Sequence, residues 1–223
     1  VRWVGYDRPG YGGSTRLFGR EVAQAAQDTA LIARALDIPE FGVMGHSGGG
    51  PHALACAALL PQVRAAVSLA GLAPYAAPGL DYFAGMYAGG CAELVAATRG
   101  EAALREALEA GDFDAEMFTP ADHSALADSW SWFHSVVEPA LEQGLGGMID
   151  DDLAYVQPWG YQPADISVPT LLVNGEQDRT VPIAHAEWLQ DHSQAELRRI
   201  AGGGHISVML YAERALDWLL QRL

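Results

Sequence analysis

The chain has 223 residues, half of them apolar and 18% charged, enough to bury a sizeable core and far from the make-up of a disordered or fibrous chain. Twenty-eight Asp and Glu against 13 Lys and Arg leave a formal charge of −15. That field repels nucleic-acid phosphates and anionic membrane surfaces and disfavours both as partners. Two cysteines, Cys56 and Cys91, are too few for a disulfide framework or a thiolate metal cage. A reducing, cytoplasmic location is therefore expected. No uninterrupted apolar run reaches 18 residues, so no membrane-spanning helix is expected either.

In chain order, residues 1–6 read as an apolar strand that gives way to the turn-rich stretch 7–14. Val22, Ala25, Ala26, Thr29, Ile32, Ala33 and Leu36 recur at helical spacing and predict a helix over about 20–36. Residues 41–45 form a short apolar run between Pro39 and a glycine cluster, the pattern of a buried strand. An Ala- and Leu-rich helix over 52–60 is stopped by Pro61, and 63–70 reads as a further strand. Strand–helix alternation of this kind predicts an α/β fold with a mostly parallel sheet flanked by helices.

The rhythm then breaks. Helix formers dominate from Pro74 to about Asp165, with helices expected at 91–99, 101–109 and 121–143. The α/β pattern resumes with a strand at 168–174, a helix at 183–192, a strand at 196–200 and a last helix over 206–220. The expected division is a core over 1–73, an inserted helical lid over 74–165 and the rest of the core over 166–223, because an insertion this long far exceeds an ordinary crossover.

Gly45-His46-Ser47-Gly48-Gly49 matches G-x-S-x-G between a predicted strand and a predicted helix. A serine on so sharp a turn sits in a strained backbone conformation with its hydroxyl exposed, and small residues are expected two places before and after it. The helix that follows aims its N-terminus, and so its partial positive charge, at the same place. The alternative is a glycine-rich turn with a passive serine. A serine hydroxyl needs a base beside it, and the base needs a carboxylate to orient it. Asp178 follows the strand at 168–174, and His205 follows the strand at 196–200. In a parallel sheet these strand ends share one edge with Ser47, in the chain order Ser, Asp, His.

The sequence resembles the α/β-hydrolase superfamily, and within it the lidded serine hydrolases of esterase type. The resemblance rests on Asp7-Arg8-Pro9-Gly10-Tyr11-Gly12-Gly13-Ser14, Gly45-His46-Ser47-Gly48-Gly49, Gly175-Glu176-Gln177-Asp178 with Val181-Pro182, and Gly204-His205-Ile206-Ser207. It implies Ser47 as nucleophile, His205 as general base and then acid, Asp178 as orienting acid and the Gly48 N–H as one oxyanion donor. A serine at 47 sets the chain apart from epoxide hydrolases and haloalkane dehalogenases, which resemble this core but use aspartate. In the family a second oxyanion donor follows an early strand that lies between those at 1–6 and 41–45, typically marked by a His-Gly pair. Three further strands, roughly 45 to 65 residues, are therefore expected ahead of Val1. A chain without them is expected to lose activity on the order of 10²–10³ from the missing donor alone, and its folding is expected to suffer as well.

His46 is expected to line the substrate site, and Trp159 to face Ser47 as part of an apolar pocket. His52 is expected on a helix face, His185 and His192 on a surface helix, and Asp150-Asp151-Asp152 at a solvated helix start. Neither a metal nor an organic cofactor is called for. The expected activity is hydrolysis of a small, partly hydrophobic carboxylic ester through an acyl-enzyme. Amide or C–C bond hydrolysis on the same triad remains a rival, as does a ligand-binding protein with little turnover. An exposed apolar lid face leaves a homo-oligomer open.

Overall fold

The computed structural model describes residues 1–111 and 114–223. Four strands, β1 (Phe41–His46), β2 (Val63–Leu69), β3 (Thr170–Gly175) and β4 (Glu196–Ile200), form one parallel sheet in the order β1-β2-β3-β4. α1 (Gln24–Ala35) precedes β1, α2 (Gly49–Leu59) links β1 to β2, and α8 (Ala184–Asp191) links β3 to β4. α9 (Ala212–Leu220) closes the chain. Between β2 and β3 run α3 (Ala88–Thr98), α4 (Glu101–Ala110), α5 (Pro120–Ala127), α6 (His134–Ala140) and α7 (Gly146–Tyr155).

Alternation along the strands divides the core in two. Val63, Ala66 and Leu172 join α1, α2, α3, α4, α7 and α8 on one face of the sheet. Ala65, Val67, Leu69, Leu171 and Val173 join α5, α9 and the turn at Ser207–Tyr211 on the other. All four strands run the same way, so the loops holding Ser47, Asp178 and His205 emerge at one edge.

Four expectations change. Residues 1–6 form no strand, and Trp3 is 69% exposed. A strand exists only through its ladder partner, and β1 pairs on one side alone, with β2. A cavity of about 730 Å³ is lined by residues of both segments. The helix expected at 121–143 is two helices, because Asp128 leaves helical space at φ −121°, ψ −100°. The last helix begins as a 3₁₀ turn at Ser207–Tyr211. Asp150, Asp151 and Asp152 are buried within α7 rather than solvated at its start.

Candidate active site

Ser47 follows β1 and precedes α2 with φ +53°, one of three described non-glycine residues in the left-handed region. Its N–H donates to the Leu69 carbonyl at 2.8 Å, and its own carbonyl accepts from the Gly50 N–H at 2.8 Å, so the strained turn is held on both sides. A Cβ at Gly45 would run into the Gly49 backbone, which explains the glycine there. A Cβ at Gly49 would meet nothing, so crowding does not require a small residue at that place.

His205 Nε2 lies 2.9 Å from Ser47 Oγ, and its Nδ1 lies 2.9 Å from Asp178 Oδ2. A carboxylate only accepts, so Nδ1 carries the proton and Nε2 presents a lone pair to the serine hydroxyl. Asp178 Oδ1 accepts from the Thr180 and Val181 N–H groups, each at 2.8 Å, which locks the carboxylate in place. Asp178 and His205 are both buried. A hydroxyl in line with an imidazole and a buried carboxylate can be deprotonated as it attacks an electrophile.

Gly48 is the N-cap of α2, so its N–H lies ahead of the helical ladder and points out of the helix start. Its carbonyl accepts from the Tyr155 hydroxyl at 3.0 Å, and a Cβ on Gly48 would collide with that oxygen. Burial holds the Tyr155 phenol well above its ordinary pKa, so it remains a donor.

His46 ends β1. Its ring centroid is 4.9 Å from that of His205, and its Nε2–H donates to the His205 carbonyl at 2.8 Å. Desolvation, then the neighbouring His205, lowers its pKa to about 3, so it is neutral. It also lines the cavity beside β1. Trp159 does not face Ser47. It is 3% exposed, packs beside Tyr161 and donates its indole N–H to the Tyr155 carbonyl, which makes it a core residue.

The polar residues set aside in the sequence turn out to be connected. Asp151 accepts from Arg8, Arg20 and Tyr11 and lies 3.1 Å from His52 Nε2, so His52 sits on α2 as expected, on its buried face. Burial opposes the charge on Asp151, but Arg8, His52 and Arg20 outweigh it and hold the carboxyl far below its ordinary range. Arg16 grips Asp150 with two bonds of 2.8 Å. His185 is also buried, bridging the Ala73 N–H and the Tyr82 carbonyl, whereas His192 is exposed and stacks on Trp188. Asp122, which carries no signal beyond a Thr-x-x-Asp capping pattern, reaches the His205 loop. Among the described residues no group of three or more His, Cys, Asp and Glu could hold a metal ion, and no helix is long and apolar enough to cross a membrane.

A parallel sheet with a serine at positive φ between β1 and α2 is an architecture of hydrolase type. A model of the alpha/beta hydrolase fold matches residues 2–210, and the chain belongs to that family. It is 28% identical over 218 residues, 96% of this chain and 81% of the other, to a pimeloyl-[acyl-carrier protein] methyl ester esterase of Xanthomonas axonopodis pv. citri (strain 306). Among solved structures it resembles a bromoperoxidase from Bacillus anthracis, with a TM-score of 0.69 and 20% identity over 97% of this chain and 80% of that one. It also resembles MGS-M2, an alpha/beta hydrolase enzyme from a Medee basin deep-sea metagenome library, with a TM-score of 0.62 and 21% identity over 95% of this chain and 75% of that one. At those identities the structural likeness establishes the fold.

Proposed function

We propose that the protein is a serine hydrolase that cleaves a small, partly hydrophobic carboxylic ester through an acyl-enzyme. The observation that carries this reading is the unbroken chain Ser47 Oγ to His205 Nε2 and His205 Nδ1 to Asp178, with 2.9 Å at each step. The name of the Xanthomonas relative, a methyl ester esterase, supports an ester over an amide.

Ser47 Oγ attacks the ester carbonyl carbon while its proton passes to His205 Nε2. Asp178 stabilises the resulting imidazolium. The tetrahedral oxyanion forms against the Gly48 N–H at the start of α2, where the helix dipole adds to the donor. His205 returns its proton to the leaving alkoxide, which departs as the alcohol. Water then attacks the acyl-Ser47 ester by the same route, with His205 as base and then acid. The helices between β2 and β3 act as a lid over this site and supply the apolar walls.

Exposure to a fluorophosphonate is expected to add one adduct, mapping to Ser47, and a panel of short esters to be turned over. Ser47→Ala is expected to take no adduct and to lose about 10⁴- to 10⁶-fold in kcat. An intact protein that is never labelled, yet binds a small ester without turnover, would favour the ligand-binding reading.

A further inference from the structure

Asp122 lies at the third position of α5, in the helical insertion, 83 residues from His205. Its side chain is fully buried, at 0% exposure, and both of its oxygens are crowded with donors. Oδ2 accepts from the Thr119 N–H at 2.9 Å, the Thr119 hydroxyl at 2.9 Å and the His205 N–H at 3.1 Å. Oδ1 accepts from the Ile206 N–H at 2.9 Å, the Ser207 N–H at 2.7 Å and the Ser207 hydroxyl at 2.8 Å. Burial opposes the charge, but the bonds from Ser207 and Thr119 outweigh it and hold this carboxyl below its ordinary range. A carboxylate placed there without such donors would be costly.

Helix capping accounts for only part of this arrangement. The reciprocal Thr119–Asp122 bonds close the capping box of α5. The four remaining bonds cross to residues 205–207, which a cap does not require. The geometry around them is equally specific. A Cβ on Gly204 would strike Asp122 Oδ2, and the Gly204 N–H donates to Ser207 Oγ at 2.8 Å. On the far side, the His205 carbonyl accepts from His46 at 2.8 Å. Both backbone polar groups of His205 are thus held by side chains of other elements. With the backbone fixed, the bond from Nδ1 to Asp178 sets the remaining ring torsions.

We propose that Asp122 is a positioning residue for His205. The insertion supplies the carboxylate that sets the backbone from which the imidazole reaches Ser47. This role rests on the reading of Ser47 and His205 as nucleophile and base. It makes α5 part of the machinery that aligns the reaction, beyond covering the site.

The test uses the whole chain and a fluorophosphonate, whose reaction with Ser47 needs no knowledge of the natural substrate. Asp122→Asn keeps the size of the side chain but turns an amide N–H toward groups that themselves donate. The inactivation rate at saturation is expected to fall about 10- to 100-fold while the apparent dissociation constant of the probe stays within threefold, as for a misplaced base. Ser207→Ala removes one donor and is expected to lower the same rate about threefold. A folded Asp122→Asn protein that reacts at the wild-type rate, or that loses only probe affinity, overturns the role. Should that variant not fold, an unchanged rate in Ser207→Ala overturns it and a lowered rate supports it. Wild-type protein that takes no adduct refutes the hydrolase reading and this role with it, whereas normal labelling of wild type and both variants refutes this role alone.

Discussion

On one side of Ser47 the His205 loop is held by backbone and hydroxyl donors gathered on a single buried carboxylate, Asp122. On the other side, the start of α2 is held through α7, where Tyr155 donates to the Gly48 carbonyl. α7 is itself fixed by full charges, with Asp151 gripped by Arg8 and Arg20. It also meets the 7–14 loop backbone to backbone, since Gly10 and Gly147 approach so closely that neither has room for a Cβ. The difference sets what each side loses when its acid is removed. Dipoles that surround Asp122 can relax around an amide, so alignment suffers before the fold does. Arg20, buried beside Asp151, cannot follow a missing charge, so the fold suffers first.

The largest expected effect is therefore on stability at the Asp151 side. Asp151→Asn leaves Arg20, whose side chain is 2% exposed, with an unpaired buried charge. The expected loss is about 3–5 kcal/mol, read as a lower denaturant midpoint at unchanged slope. Below the midpoint, the folded fraction is expected to react with a fluorophosphonate faster than Asp122→Asn does. A loss under about 1 kcal/mol would show that the cluster is solvated and would remove the contrast.

Acid separates the two sides a second way. His46 belongs to the His205 side, and its folded pKa of about 3 lies below the unfolded value of 6.5. The unfolded chain thus binds a proton that the folded one refuses. Stability from this group is complete above pH 6.5 and is lost as pH falls toward 3, by up to ~3 kcal/mol between 6.5 and 4. His185, lowered to about 4 mainly by its burial, adds a loss of the same sign. Asp151 is also held low, but its unfolded value is that of a carboxylate, so its support fails only below about pH 4. Unfolding measured from pH 7 to 4 should show a falling midpoint, and His46→Asn should flatten the fall. Amide exchange should rise around His205 before it rises in α7, and simultaneous loss of both would contradict the separation.

What could be read in the sequence was local. β1, β2 and β3 announce themselves as apolar runs bounded by glycine or proline, and the Gly-x-Ser-x-Gly turn needs only five adjacent residues. What could not be read depends on distant partners. An acidic triplet resembles a solvated helix start until Arg8 and Arg20, 143 and 131 residues away from Asp151, fold onto it. The same holds for Asp122, whose capping pattern is visible while its bonds to the His205 loop are not. Residues 1–6 carry strand chemistry, but hydrogen-bond partners make a strand, and the β1 edge facing them is unpaired. A large aromatic such as Trp159 suits an apolar pocket by sequence alone, yet its indole N–H is satisfied inside the core.

The smallest expected effect tests whether the Gly48 side aligns the reaction at all. Tyr155→Phe removes one buried hydroxyl and leaves the ring in place, so the packing beside His52 persists. The Gly48 carbonyl keeps its role at the first turn of α2, and stability should fall by only about 1 kcal/mol. The peptide that follows Gly48 then loses its outside restraint, and the Gly48 N–H can swing away from the oxyanion position proposed for it. The expected result is a roughly 3- to 10-fold lower kcat on an ester with KM unchanged, because the donor matters only once charge develops on the oxygen. A rise in KM at constant kcat would instead place Tyr155 in substrate binding. If both constants stay at wild-type values, the helix start is held firmly enough by its own ladder, and alignment of the reaction belongs to the His205 side alone.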